Sequence, residues 1–277
     1  MNVITVSLYR RPFHTKLCLE SICRAQRWHP WADQILVCLA PNALQDVAKE
    51  AMTVVGLNPD TPFFLQVEPA DIRNPHQASK WMLDKAFHEF GSDFTLYIED
   101  DVILSPDAFM ALEFVYANTV RNLYKRMNSS VVGICLYHET IPEHYLVNPP
   151  DPRRLHLHNG VNTCGGTAWL REPYLKILGP NWNCKQVEPL GFDYSAHYLM
   201  YKHGLYMVYP DLSRSMNIGF TGGALSQEQW EKYCGKSIWT QTDQALRDWR
   251  DFQIDVSEYP KLVREIWMED ELKHRGE

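Results

Sequence analysis

Apolar positions along the first hundred residues follow two alternating patterns. Short unbroken runs at 2–8, 34–39, 63–67 and 95–98 are rich in Val, Ile, Leu and Phe, as buried strands are. Between them, at 15–22, 43–55 and 75–90, apolar residues recur every three or four positions, the period of a helix with one buried face. Gly56 closes the second helical stretch, where a C-terminal glycine is favoured. Repeated strand and helix at this spacing predict an α/β fold, a mostly parallel sheet with helices on both faces.

After residue 101 the pattern is mixed. A helix is expected over 106–126, strands over 131–137 and 205–209, and helices over 172–178 and 191–202. The segment 142–163, rich in Pro, Asn, His and Arg, reads as long loops or a short hairpin. Gly165 and Gly166 precede a further strand, where they permit a close backbone approach. Residues 210–223 read as a flexible polar lid, and from Ser226 onward helices are expected, including 242–252 and 259–273. The division that follows is a catalytic domain 1–225, with a nucleotide-binding half 1–102 and an acceptor half 103–225. A helical extension, 226–277, packs on its outside.

The most informative stretch is the fourth apolar run, which passes directly into Glu99, Asp100 and Asp101. Charge at the end of a buried strand must be paired or bound to a cation, and strand ends are where open α/β sheets bind ligands. Carboxylate oxygens suit Mg²⁺ or Mn²⁺, which leave coordination positions for water and substrate phosphates. The plainer reading is that these acids open a solvated loop ahead of the Ser105-Pro106-Asp107 helix start.

Composition narrows the classes. The chain has 277 residues, 45% hydrophobic and 22% charged, with net charge -7, so neither disorder nor general attraction to nucleic acid is indicated. No apolar run is long enough to span a bilayer, and Met1 leads into a strand, so a soluble protein of a cytoplasm is expected, bacterial or viral in origin. Seven cysteines without a C-x-x-C pair read as reduced thiols. His138, His144, His156 and His158 invite a zinc reading, but their spacing is loose. Basic residues at 10, 11, 16, 24 and 27, at 121, 125 and 126, and at 153 and 154 are solvated helix faces or, if they converge, a surface for a polyanion such as DNA carrying hydroxylated bases.

Three features together carry a resemblance: the Tyr9-Arg10-Arg11-Pro12 loop after the first strand, the strand ending in Glu99-Asp100-Asp101, and Pro210-Asp211-Leu212-Ser213-Arg214-Ser215-Met216. The chain resembles the GT-A glycosyltransferases and within them is most similar to the N-acetylglucosaminyltransferase I family, over roughly residues 2–223. The resemblance implies a GT-A-like fold and transfer of a sugar, with inversion, from a nucleotide-sugar donor such as a UDP-sugar to a hydroxyl on a glycan, a small molecule or modified DNA. It implies Mn²⁺ or Mg²⁺ on Asp101, with Glu99 and Asp100 orienting the donor. Arg10 and His76 would lie near the nucleotide, Ser213 and Arg214 in a closing loop, and Asp193 would be the base. The family has Trp-Asp-Asp-Trp where this chain has Phe192-Asp193-Tyr194-Ser195. A nucleotidyltransferase, or a non-catalytic carbohydrate- or nucleic-acid-binding module on the same scaffold, would share the sheet and the acids.

Overall fold

The computed structural model describes residues 1–72, 74–118, 130–138, 150–161, 165–182, 192–219, 227–233 and 238–255; Asp193 is described through its backbone alone. The first four apolar runs form β1 (Asn2–Leu8), β2 (Gln34–Leu39), β3 (Phe63–Val67) and β4 (Phe94–Glu99). Between them lie α1 (Pro12–Trp28), α2 (Gln45–Leu57) and α3 (Pro75–Asp84), the last running on into a π-helical turn at Lys85–Glu89. Pro12 and Pro75 stand in the first turns of α1 and α3, where a missing N–H costs nothing, and Asn74 caps α3 by accepting from the Gln77 N–H at 2.9 Å.

A short β5 (Val102–Leu104) and α4 (Ala108–Asn118) follow. Then come β6 (Val131–Cys135), β7 (Arg154–His158), β8 (Thr167–Leu170), β9 (Tyr206–Pro210), β10 (Ser215–Asn217) and β11 (Gln253–Asp255). Nine strands make one mixed, mostly parallel sheet in the order β11-β7-β9-β6-β8-β4-β1-β2-β3. Helices flank it, and apolar side chains on both faces are buried, including Ile4, Val6, Ile35 and Leu96 on one side and Leu36, Tyr97, Val132 and Trp169 on the other.

Chain order decides where a ligand can enter. From β1 the chain steps outward to β2 and β3, then returns to place β4 on the other side of β1. At such a switch point the loops leaving adjacent strand ends diverge and open a crevice. Ser7 of β1 lies opposite Glu99 of β4, so the acids stand at that crevice.

Three expectations differ from the outcome. Residues 154–158, expected within long loops or a short hairpin, form β7 of the main sheet, because Leu155 and Leu157 pack into the sheet between β9 and β11. The expected lid 210–223 is, through Gly219, buried structure: β10 pairs antiparallel with β5, and its remaining residues lie outside the described part. The stretch 242–252 holds turns and one 3₁₀ turn, Trp249–Asp251, before β11 adds a strand beside β7. Gly165 and Gly166 do what their placement suggests. A Cβ on Gly165 would sit 1.9 Å from Tyr137 Cβ, and Gly166 has φ +91°. Among the described residues no helix is long and apolar enough to cross a membrane.

Candidate active site

The three acids diverge as they leave β4. Asp100 and Asp101 are buried, and both reach one cation, Arg11, the residue just before α1. Arg11 Nη2 donates to Asp100 Oδ1 at 2.5 Å and Nη1 to Asp101 Oδ2 at 2.8 Å. The Tyr9 backbone N–H approaches Asp100 Oδ2 at 3.4 Å. Burial pushes the Asp100 carboxyl up, and Arg11 pulls against it. Burial likewise opposes the charge on Arg11, but Asp101 and Asp100 outweigh it and raise the guanidinium further.

Asp101 Oδ1 has no hydrogen-bond partner among the described residues, although it is shielded from solvent. Buried carboxylate oxygens are seldom left so, because desolvation without a partner costs about 1–3 kcal/mol or more. A divalent cation suits this donor set. Among the described residues no group of three His, Cys, Asp or Glu is arranged as a metal cage, so the protein would supply the Asp101 and Asp100 oxygens and leave the remaining positions to water and phosphate.

Beside the acids lies a cavity of about 480 Å³, lined by Ser7, Tyr9, Arg11, Glu68, Asn74, Tyr97, Glu99 and Asp100 among others. The carboxyl ends of β1, β3 and β4 thus all open into it. Glu99 turns away from Arg11 and accepts from the Tyr97 hydroxyl at 3.1 Å, itself an acceptor from Ser79 Oγ at 2.8 Å. Its carboxyl is held above the usual range by burial first and by Asp101 and Asp100 next. Glu68, directly after β3, is 4% exposed, has an unpartnered Oε1 among the described residues, and is pushed up to about 7 by burial. It was not foreseen, since a single Glu at a strand end carries no local signature.

Asp101 is also held by residues from the end of β10. Ile218 N–H donates to the Asp101 carbonyl at 2.8 Å, and His14 Nε2 meets the Ile218 carbonyl at 3.1 Å. A Cβ on Gly219 would stand 1.9 Å from Asp101 Oδ2 and 2.9 Å from Arg11 Nη1. Only a glycine leaves room for that ion pair.

The other expected residues are placed as follows. Arg10 is exposed, its guanidinium 4.6 Å from the Tyr9 ring centre, while its neighbour Arg11 reaches the acids. His76 is half-buried in the first turn of α3, next to the cavity residues Asn74 and Ala78. Asp193 lies in the helix Phe192–Lys202, and its side chain is outside the described part. Ser213 and Arg214 are fully buried away from the cavity wall. Ser213 Oγ accepts from the His138 N–H at 2.9 Å, and Arg214 donates to Thr240 Oγ1 and the Pro152 carbonyl, with Asp107 Oδ2 at 3.5 Å.

The histidines expected near one another do gather in part. The His138 and His158 rings are centred 5.7 Å apart, and His156 Nε2 is 3.5 Å from Asp211 Oδ1; all three are buried, and His144 lies outside the described residues. Cys18, Cys23, Cys38 and Cys135 are buried. The basic N-terminal residues disperse their contacts: Arg24 donates to the Leu104 carbonyl and Arg27 to Asn58 Oδ1, both at 3.1 Å.

No protein-family model matches the chain, and no curated protein matches it in sequence. Among solved structures it is similar to a mannosyltransferase from Pyrobaculum calidifontis in complex with GDP-Man and Mn²⁺, at 13% identity and TM-score 0.46, over 72% of this chain and 51% of that one. TarS from S. aureus is similar at 9% identity and TM-score 0.45, over 77% and 59%. Glucosyl-3-phosphoglycerate synthase from Mycobacterium tuberculosis, in complex with Mn²⁺, UDP and phosphoglyceric acid, is similar at 9% identity and TM-score 0.38, over 70% and 66%. The matches thus span from about half to two thirds of those chains. None of the three bears the name of the N-acetylglucosaminyltransferase I family.

Proposed function

We propose that the chain is a metal-dependent glycosyltransferase that takes its sugar from a nucleotide-sugar donor bound in the cavity beside Asp100 and Asp101. One observation carries this reading: two buried carboxylates at a topological switch point converge on a single cation, an oxygen of Asp101 is unpartnered among the described residues, and Arg11 and Asp100 line a cavity of about 480 Å³. That volume suits a ligand of nucleotide-sugar size. The strand-Glu99-Asp100-Asp101 motif and its resemblance to GT-A enzymes support the same reading.

In this scheme Asp101 and Asp100 hold the metal ion, which when bound stabilises the negative charge on the leaving diphosphate. Tyr9, Asn74 and the wall formed by Ser7 and Glu68 receive the nucleoside. Glu99, fixed by Tyr97, faces the donor as a hydrogen-bonding group whose raised proton affinity lets it donate as well as accept near neutral pH. Inversion requires a carboxylate on the opposite face of the sugar to take the acceptor proton, and Asp193 is our candidate. Asp193→Asn is expected to keep donor affinity within about threefold and to lose turnover by a factor of about 10² or more.

The test is calorimetric titration of UDP, GDP, UDP-GlcNAc and GDP-Man into the full chain, with and without Mn²⁺. The panel spans two bases and two sugars because the mannosyltransferase, the synthase and another TarS structure are complexes with GDP-Man, UDP and UDP-GlcNAc respectively. Mn²⁺-dependent binding of one base series, lost in Asp101→Asn, is the expected result. Binding that ignores both Mn²⁺ and Asp101 removes the reading and favours a non-catalytic module.

A further inference from the structure

Arg11 occupies one oxygen of each carboxylate that a metal bridging the two would need. Its two terminal nitrogens hold Asp100 Oδ1 and Asp101 Oδ2, and its side chain is four-fifths buried between them. Two buried carboxylates this close repel one another, so a cation between them is a structural necessity and not an ornament. Gly219 closes over the same pair, a Cβ there falling 1.9 Å from Asp101 Oδ2 and 2.9 Å from Arg11 Nη1, and Asp101 Oδ1 is shielded from solvent. A cation that is to bridge Asp100 Oδ1 and Asp101 Oδ2 needs Arg11 or Gly219 to move.

Of the two, Arg11 has somewhere to go. It lines the cavity together with Ser7, Tyr9 and Asn42, so rotation of its side chain carries the guanidinium into that space without moving the backbone. Gly219 is tied down by its own N–H, which donates to Asn217 Oδ1 at 2.8 Å, and by the adjacent Ile218 N–H to Asp101. A guanidinium entering the cavity would meet an incoming diphosphate, and its planar fork matches phosphate oxygens in pairs.

Building on the proposed donor site, we propose that Arg11 is an exchangeable internal cation: a divalent metal ion displaces it from Asp100 and Asp101, and the freed guanidinium then grips the donor diphosphate. Metal and donor therefore bind in concert. Metal alone binds weakly, because it must evict Arg11 without giving it a new partner; with a diphosphate present that cost is offset. The coupling is reciprocal, as it is for any two linked ligands.

The experiment measures Mn²⁺ binding to the full chain by calorimetry and by the loss of the free Mn²⁺ paramagnetic resonance signal, first with no nucleotide, in wild type, Arg11→Met and Arg11→Lys. Arg11→Met should bind Mn²⁺ alone about tenfold or more tightly than wild type, with Arg11→Lys between them, since a lysine keeps the charge but lacks the planar fork whose two nitrogens meet one oxygen of each carboxylate. With saturating Mn²⁺, the same Arg11→Met should bind the nucleoside diphosphate chosen by the panel about tenfold more weakly. Thermal melting keeps the outcome readable if Arg11→Met is fragile, because Mn²⁺ should then raise its midpoint by more than it raises that of wild type. Equal or weaker Mn²⁺ affinity in Arg11→Met, with wild type still binding Mn²⁺ and nucleotide together, overturns the exchange and leaves the glycosyltransferase reading standing. A wild type that binds no Mn²⁺ with any nucleotide overturns both.

Discussion

Among the described residues, Arg214 and Arg11 are each buried against aspartates, and both come from stretches that look functional in the sequence. Arg214 lies against Asp107 with neither side chain exposed at all. Its terminal nitrogens also reach Thr240 and the Pro152 carbonyl, Phe252 stacks 5.2 Å from its Cζ, and its backbone bridges the Leu136 carbonyl and the Ser105 N–H. Asp107 in turn accepts from Ser105 Oγ and from the Leu246 N–H, each at 2.8 Å. This pair ties distant segments together, and neither residue lines the cavity beside the acids. Arg11 with Asp100 and Asp101 resembles it in charge and depth, yet it borders the cavity and leaves a carboxylate oxygen unpartnered. Burial of an ion pair is thus no sign of function. What separates the two is whether both carboxylate oxygens are engaged, as they are in Asp107 although Arg214 Nε has no partner among the described residues, and whether a ligand can approach.

The comparison can be broken most forcefully at Arg214. Arg214→Met should strand Asp107 in the core and lower stability by about 3–5 kcal/mol in a denaturant melt, while nucleotide affinity measured well below the melting point stays within about threefold. A variant that keeps its stability but loses nucleotide would move Arg214 into the donor site. Asp101→Asn should do the reverse. Mn²⁺-dependent nucleotide binding is expected to fall about a hundredfold, roughly 2.7 kcal/mol, with little change in melting temperature because the lost repulsion with Asp100 compensates for the weakened bond to Arg11.

Glu68 sharpens the contrast through pH. Its carboxyl is raised to about 7 in the folded protein by burial, against an ordinary value near 4.5, so folding favours its protonated form. Its contribution is fully present below about pH 4.5 and is lost as pH rises through about 7. Glu68→Gln should therefore flatten the decline in stability between pH 5 and pH 8, by about 1–3 kcal/mol over that window. A stability profile with the same slope in both proteins would show that Glu68 is ionised and paired. The smallest effect is expected at Arg10, exposed on the Tyr9 ring. Arg10→Ala should change nucleotide affinity by about threefold or less, about 0.6 kcal/mol; a tenfold loss would place Arg10, and not only Arg11, on the donor.

The differences between expectation and structure follow one line. Helices and strands of the first half were legible because each buries one face against the same sheet, and that demand leaves a period in the chain. β7 was not, since its His156 and His158 interrupt the apolar pattern and are buried through contacts with Tyr209 and Asp211, supplied from fifty residues further on. The segment 210–219 looked flexible because Ser, Asn and Gly are common in loops, but its polar groups are paired by partners from Leu104 to Trp239.

By itself the sequence determined the alternation of strand and helix, the strand that runs into Glu99, Asp100 and Asp101, and the glycines that let the chain approach itself before β8. These depend on neighbours within a few residues, so the local order of side chains is enough to specify them. Only the tertiary structure decided that Arg11 and not Arg10 meets the acids ninety positions away, that Glu68 joins them across the sheet, that Gly219 seals them, and that Arg214 is spent on Asp107. Each of those depends on which strand ends the topology brings together, and a contact between distant residues leaves no mark on the residues beside it.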